Sequence, residues 1–173
     1  DPNDLTAQRV AGVRWVFAEG KWKQVPDPMP RVRLVTHAQV SRAVYDDLRR
    51  IDPRQVALVD EVVDLDAANP GIARVVVDRP GFIEVATTAA TRQLLVLTES
   101  FHPGWQATDG GRALRILRVY GDFQACLVEP GERTIIFRFR PASFRYGGML
   151  SLVATFIVAL CFAFQWRKAR RKD

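Results

Sequence analysis

The sequence predicts a mainly β, β-sandwich-like domain with one short helix, followed by a single C-terminal transmembrane α-helix. Three observations carry this expectation. Short apolar or alternating runs recur at roughly 10–12-residue spacing with turn residues between them, the pattern of a sandwich. Upstream of residue 147 only one stretch has helical periodicity. Gly147 to Trp166, GGMLSLVATFIVALCFAFQW, then runs twenty residues without a charge.

Val13–Ala18 and Trp22–Val25 flank Glu19-Gly20-Lys21 and are expected to form a hairpin. Pro26, Pro28 and Pro30 break the pattern. Val32 and Leu34 alternate with Arg31 and Arg33, which predicts a half-exposed strand. Helix is expected from Ser41, as N-cap, to Pro53. Val44, Leu48 and Ile51 share one face there, and Asp46 and Arg50 are spaced to pair. Val56–Val63 is apolar around Asp60-Glu61 and predicts one or two short strands.

Ala73, Val75 and Val77 alternate with Arg74, Val76 and Asp78 up to the turn Arg79-Pro80-Gly81, and Phe82–Thr88 returns. Leu94–Leu97 is continuously apolar, as a strand buried on both faces must be. Asp109-Gly110-Gly111 is a turn before an expected strand from Leu114 to Tyr120. Phe123–Leu127 follows. Glu129-Pro130-Gly131-Glu132 fits a type II turn, and Ile135, Phe137 and Phe139 alternate in the last strand.

Twenty helical residues span about 30 Å, the thickness of a bilayer's hydrocarbon core. Arg145, Tyr146 and Trp166 stand at the ends of the stretch, where charged and amphipathic side chains prefer the interface. Arg167, Lys168, Arg170, Arg171 and Lys172 follow at once. Five bases against one acid in residues 167–173 hold +4 of the chain's +6. Positive residues favour the cytoplasmic side, so the expected layout is a 1–146 extracytoplasmic domain, a 147–166 span and a 167–173 cytoplasmic tail. The remainder of the chain is nearly neutral, which argues against nucleic-acid binding. A chain that opens on Asp1 is expected to be a piece of a longer protein or a processed product.

Cys126 and Cys161 fall in different compartments under this layout, so Cys126 is expected to be a free core thiol. No P-loop, dinucleotide loop, Ser-His-Asp order or metal-ligand spacing is present. Asp64-Leu65-Asp66 matches a DxD pattern that holds metal and nucleotide-sugar in some soluble transferases; on a strand both carboxylates would share a side. A solvated loop explains it as well. Glu99, His102 and Trp105 are the best candidates for binding a saccharide. An indole face takes sugar C–H groups, and the carboxylate and imidazole take hydroxyls. In the alternative, Trp105 fills the core and Glu99 pairs with an arginine such as Arg140.

Leu95 to Phe144 carries Thr98-Glu99-Ser100, Phe101-His102, Pro103-Gly104-Trp105, Asp109-Gly110-Gly111, Glu129-Pro130-Gly131 and Arg140-Pro141-Ala142-Ser143-Phe144. This run resembles the C-terminal part of the YfhO family of bacterial membrane proteins, as do Gly12–Val16 and Pro30-Arg31-Val32 upstream. His102 stands where the family more often has Tyr. The resemblance implies a multi-helix, glycosyltransferase-like parent in the bacterial cell membrane, using a lipid-linked sugar donor on cell-envelope polymers or lipids. This chain would be its accessory outer domain and last helix. Its implied partners are the bilayer, other membrane helices of the same parent and an envelope glycan. The family's catalytic carboxylate usually belongs to an early outer loop, so no catalytic residue, cofactor or metal is assigned here. A membrane-tethered binding or structural module without enzymatic activity is the alternative.

Overall fold

The computed structural model describes residues 4–169; side chains are described for these except Arg145 and residues 161–169. The chain forms two compact units, one ending at Phe139 and the other beginning at Arg140.

The first unit is mainly β. Its elements are α1 (Leu5–Val10), β1 (Trp15–Ala18), β2 (Lys21–Gln24), β3 (Val32–Val35), β4 (His37–Val40), α2 (Val44–Leu48), β5 (Val56–Val59), β6 (Ile72–Arg79), β7 (Phe82–Ala89), β8 (Gln93–Ser100), β9 (Trp105–Asp109), β10 (Arg112–Leu114), β11 (Leu117–Val119), β12 (Phe123–Val128) and β13 (Gly131–Phe139). They build a five-stranded antiparallel sheet, β10-β9-β13-β7-β6, and a six-stranded sheet, β3-β8-β12-β11-β5-β4. β1 and β2 form a separate hairpin. In the six-stranded sheet only β4 and β5 run parallel, and α2 supplies the crossover that parallel neighbours need.

Two cores result. Between the sheets lie Val32, Leu34, Ile83, Val85, Leu95, Leu97, Cys126, Ile135 and Phe137. On the other face of the six-stranded sheet Leu94, Val96, Ala57, Val119 and Ala125 pack with Val10 of α1, Leu48 of α2, Met29 and Tyr120. Leu94–Leu97 therefore alternates between two cores, which is why the run is apolar at every position. The expected half-exposed strand is corrected by the same fact. All four residues of β3 are buried, Arg33 included, because the layer with Met29 and Tyr120 covers its second face. The Arg33 guanidinium lies 5.3 Å over the Tyr120 ring, and its Nη1 donates to Pro30 C=O at 3.4 Å.

Local structure differs from expectation in several places. α1 was not signalled; Asp4 caps it, accepting from Thr6 and Ala7 N–H. α2 is shorter than the expected helix and starts after Ala43. Ser41 instead accepts from Ala43 N–H and donates to Asp47, and Arg50 approaches Asp47 rather than Asp46. The expected strand Leu114–Tyr120 is also two strands in different sheets, with Arg115-Ile116 crossing between them.

The second unit is one helix, α3 (Ala142–Ala169). It starts right after Pro141, upstream of Gly147, where the expected span begins. Pro141 C=O accepts from Phe144 N–H at 3.2 Å, bonding the residue before the helix to its first turn. Ala142–Leu160 is long and apolar enough to span a membrane, and none of it is buried within the protein. Thr155 donates to Ser151 C=O at 2.8 Å, so its hydroxyl is satisfied inside the helix. Tyr146 is exposed. The side chains of Arg145, Trp166, Arg167 and Lys168, and the whole of Arg170, Arg171 and Lys172, lie outside what is described.

Candidate functional site

The site forms where β8 leaves the six-stranded sheet. Ser100 pairs with Phe123 but Leu97 pairs with Gln124, so Thr98 and Glu99 are extra residues on one side of the ladder. Such a bulge bends a strand and re-aims its side chains. The chain then turns through His102-Pro103-Gly104 into β9, with Trp105 N–H donating to His102 C=O at 3.0 Å.

His102 and Trp105 come together there. His102 Nδ1 accepts from Gly104 N–H at 2.9 Å, which puts the proton of the neutral ring on Nε2 and leaves it free to donate. Both rings rest on Phe139 of β13, with centroids 5.1 Å away for His102 and 5.2 Å for Trp105. His102 is exposed and Trp105 half-buried. They line a groove of about 510 Å³ with Phe101, Gln106, Leu114 and Ile116. Its walls are aromatic and aliphatic, and His102, Gln106 and Thr108 bring polar groups to it.

Glu99 does not join this groove. It accepts from Arg31 Nη2 at 2.7 Å, and Arg31 also pairs with Asp78. Burial disfavours the Arg31 charge, but Glu99 and Asp78 outweigh it and raise its pKa. The partner of Glu99 is thus Arg31, sixty-eight residues upstream, and not Arg140. Trp105 does touch the edge of the inter-sheet core, so the groove and the core share one side chain.

Asp64 and Asp66 lie on an irregular exposed segment, not a strand, so the shared-side argument for them fails. Asp66 accepts from Arg92 N–H and donates its own N–H to Arg92 C=O, clipping this segment to the start of β8. Among the described residues no group of three or more His, Cys, Asp or Glu is placed to hold a metal. Cys126 lies in the inter-sheet core; burial first, then the Asp109 charge, push its thiol up to about 12. It is a thiol at neutral pH and a poor nucleophile.

Two residues that the sequence did not single out hold the scaffold around these strands. Gln93 is fully buried, and its amide accepts from Gly71 N–H at 2.8 Å and donates to Asn69 C=O at 3.0 Å. Gly71 has no room for a side chain: a Cβ there would sit 2.2 Å from Thr88 C=O. A glutamine opening an apolar strand is the one available signal for this brace.

Comparison with known proteins finds no matching family model, no matching curated protein and no matching solved structure.

Proposed function

We propose that this chain is the accessory outer domain and last membrane helix of a YfhO-like, glycosyltransferase-like protein of the bacterial cell membrane. In this reading residues 1–146 face outward, the tail from Arg167 faces the cytoplasm, and the fragment itself does no chemistry. Its part is to hold an envelope glycan in the His102–Trp105 groove.

The carrying observation is that His102 and Trp105, which lie inside the family-like run, share one preorganised aromatic groove. The apolar helix α3 supports the membrane tether. The test is deletion of residues 1–146 from the parent protein, together with Trp105→Ala in the intact chain. Loss of sugar transfer in the first, and lost retention on immobilised envelope polysaccharide in the second, are the expected results. Unchanged transfer and unchanged retention would sink the reading.

The alternative reading is a tethered binding module without enzymatic activity, which uses the same groove and the one candidate span among the described residues. It predicts a native membrane protein no longer than these 173 residues.

A further inference from the structure

The β1–β2 hairpin stands apart from both sheets. Its register sets Phe17 opposite Trp22 and Trp15 opposite Gln24, so Trp15, Phe17 and Trp22 share one face. These rings are 54%, 63% and 67% exposed. Phe17 and Trp22 contact each other at 5.4 Å, so the face is a formed aromatic patch. Arg14, Lys21 and Lys23 occupy the hairpin's other face, and the single acid of the hairpin, Glu19, pairs with Lys23 at 2.6 Å.

We infer that this hairpin is a second membrane contact, with its aromatic face lying in the headgroup region of an anionic bilayer. The inference rests on the reading that α3 lies in that bilayer. Three features select lipid over a protein partner. Two of its three rings are indoles, which favour the membrane interface. The hairpin's other face is net positive, and its long Lys stems let their ammonium groups lie among anionic headgroup phosphates while the rings lie lower. A chain anchored by one helix also keeps its outer domain at high effective concentration against the surface, so a small patch suffices.

The test uses the full chain reconstituted in vesicles of phosphatidylcholine and phosphatidylglycerol. With Trp105→Phe and Trp166→Phe, the indoles of Trp15 and Trp22 alone report. Blue-shifted emission, quenched by nitroxide labels near the headgroup and shielded from aqueous acrylamide, is expected. Emission open to acrylamide and untouched by the lipid labels overturns the inference. So does emission shielded from both, which would mean that protein covers the patch. A companion variant keeps Trp166 and replaces Trp15, Trp22 and Trp105 by Phe. Trp166 quenched by lipid labels with the hairpin unquenched removes only the hairpin contact; Trp166 unquenched removes the tether and the inference with it. In the unaltered chain, trypsin should cut after Lys21 and Lys23 more slowly in these vesicles than in vesicles of phosphatidylcholine alone. Equal rates overturn the charge-assisted contact.

Discussion

Two regions of the first unit present clustered aromatic rings, and they hold them differently. In the groove after β8, His102 and Trp105 both lean on Phe139, and a backbone hydrogen bond orients the imidazole. In the β1–β2 hairpin, Phe17 and Trp22 contact each other, and these two rings and Trp15 are all exposed. The groove rings are ordered before any ligand arrives, so binding there loses little further freedom. The hairpin rings gain most by finding an apolar or interfacial surface. Exposure alone does not distinguish a pocket from a docking face; what lies beneath the rings does.

The largest expected effect tests that support. Phe139→Ala removes the ring under both His102 and Trp105. A buried Phe→Ala change costs about 3–5 kcal/mol; for the half-buried Phe139 about 2–3 kcal/mol is expected, read by urea unfolding. Phe17→Ala should change stability by no more than about 0.5 kcal/mol, as surface substitutions do. Equal losses in the two variants would mean that the hairpin rings also pack on the body, and the contrast would collapse.

A second, smaller effect separates the regions by pH. The hairpin grows from the α1 layer, through Val13 N–H to Gln8 C=O and Val25 N–H to Arg14 C=O. Asp4 secures that layer. The Ala7 N–H bond lowers its pKa from 3.8, burial opposes this, and the Arg49 hydrogen bond and charge and the Thr6 N–H add to the lowering. A lowered folded pKa gives stability that is present above the unfolded value, and it is lost as pH falls through the folded one. Stability should therefore drop below about pH 3.8, with α1 and hairpin amides exchanging faster before those of the groove. Asp4→Asn keeps a good cap but removes the charge; it should flatten this acid limb and cost about 1 kcal/mol or less at neutral pH, since Arg49 is mostly exposed. An unaltered acid limb would show that Asp4 does not secure the layer.

The sequence was legible where one local rule decided the outcome. Glu19-Gly20 marked the hairpin, Leu94–Leu97 the doubly buried strand, and Pro130-Gly131 the turn into the last strand, where Gly131 has φ +101. It misled where a second layer or a distant partner decides. Arg33 reads as a solvent-facing residue until the Met29–Tyr120 layer is known. Leu114–Tyr120 reads as one strand because nothing local marks Arg115-Ile116 as the crossing between sheets. Of the three saccharide candidates, His102 and Trp105 are neighbours through a local turn. Glu99 is drawn away by Arg31 and Asp78, a three-residue ion cluster that no sequence spacing announces.

The smallest effect concerns the hairpin alone. Glu19 and Gly20 both have positive φ, +54 and +76, as the central residues of a type I′ turn require. Glycine adopts that region freely; glutamate does so under strain, and asparagine is the side chain that tolerates it best. Glu19→Asn creates the Asn-Gly pair this turn favours. It also loses the Glu19–Lys23 pair, but at an exposed site that pair is worth only a few tenths of a kcal/mol. A net gain of about 0.5 kcal/mol is expected, confined to the hairpin. The global unfolding midpoint should stay put, because the hairpin lies outside both cores. Amide exchange in β1 and β2 should slow while the strand amides of β9 and β13 hold their rates. Slowing at both places would mean that the hairpin and the groove open as one unit, and the two aromatic regions would no longer be independent.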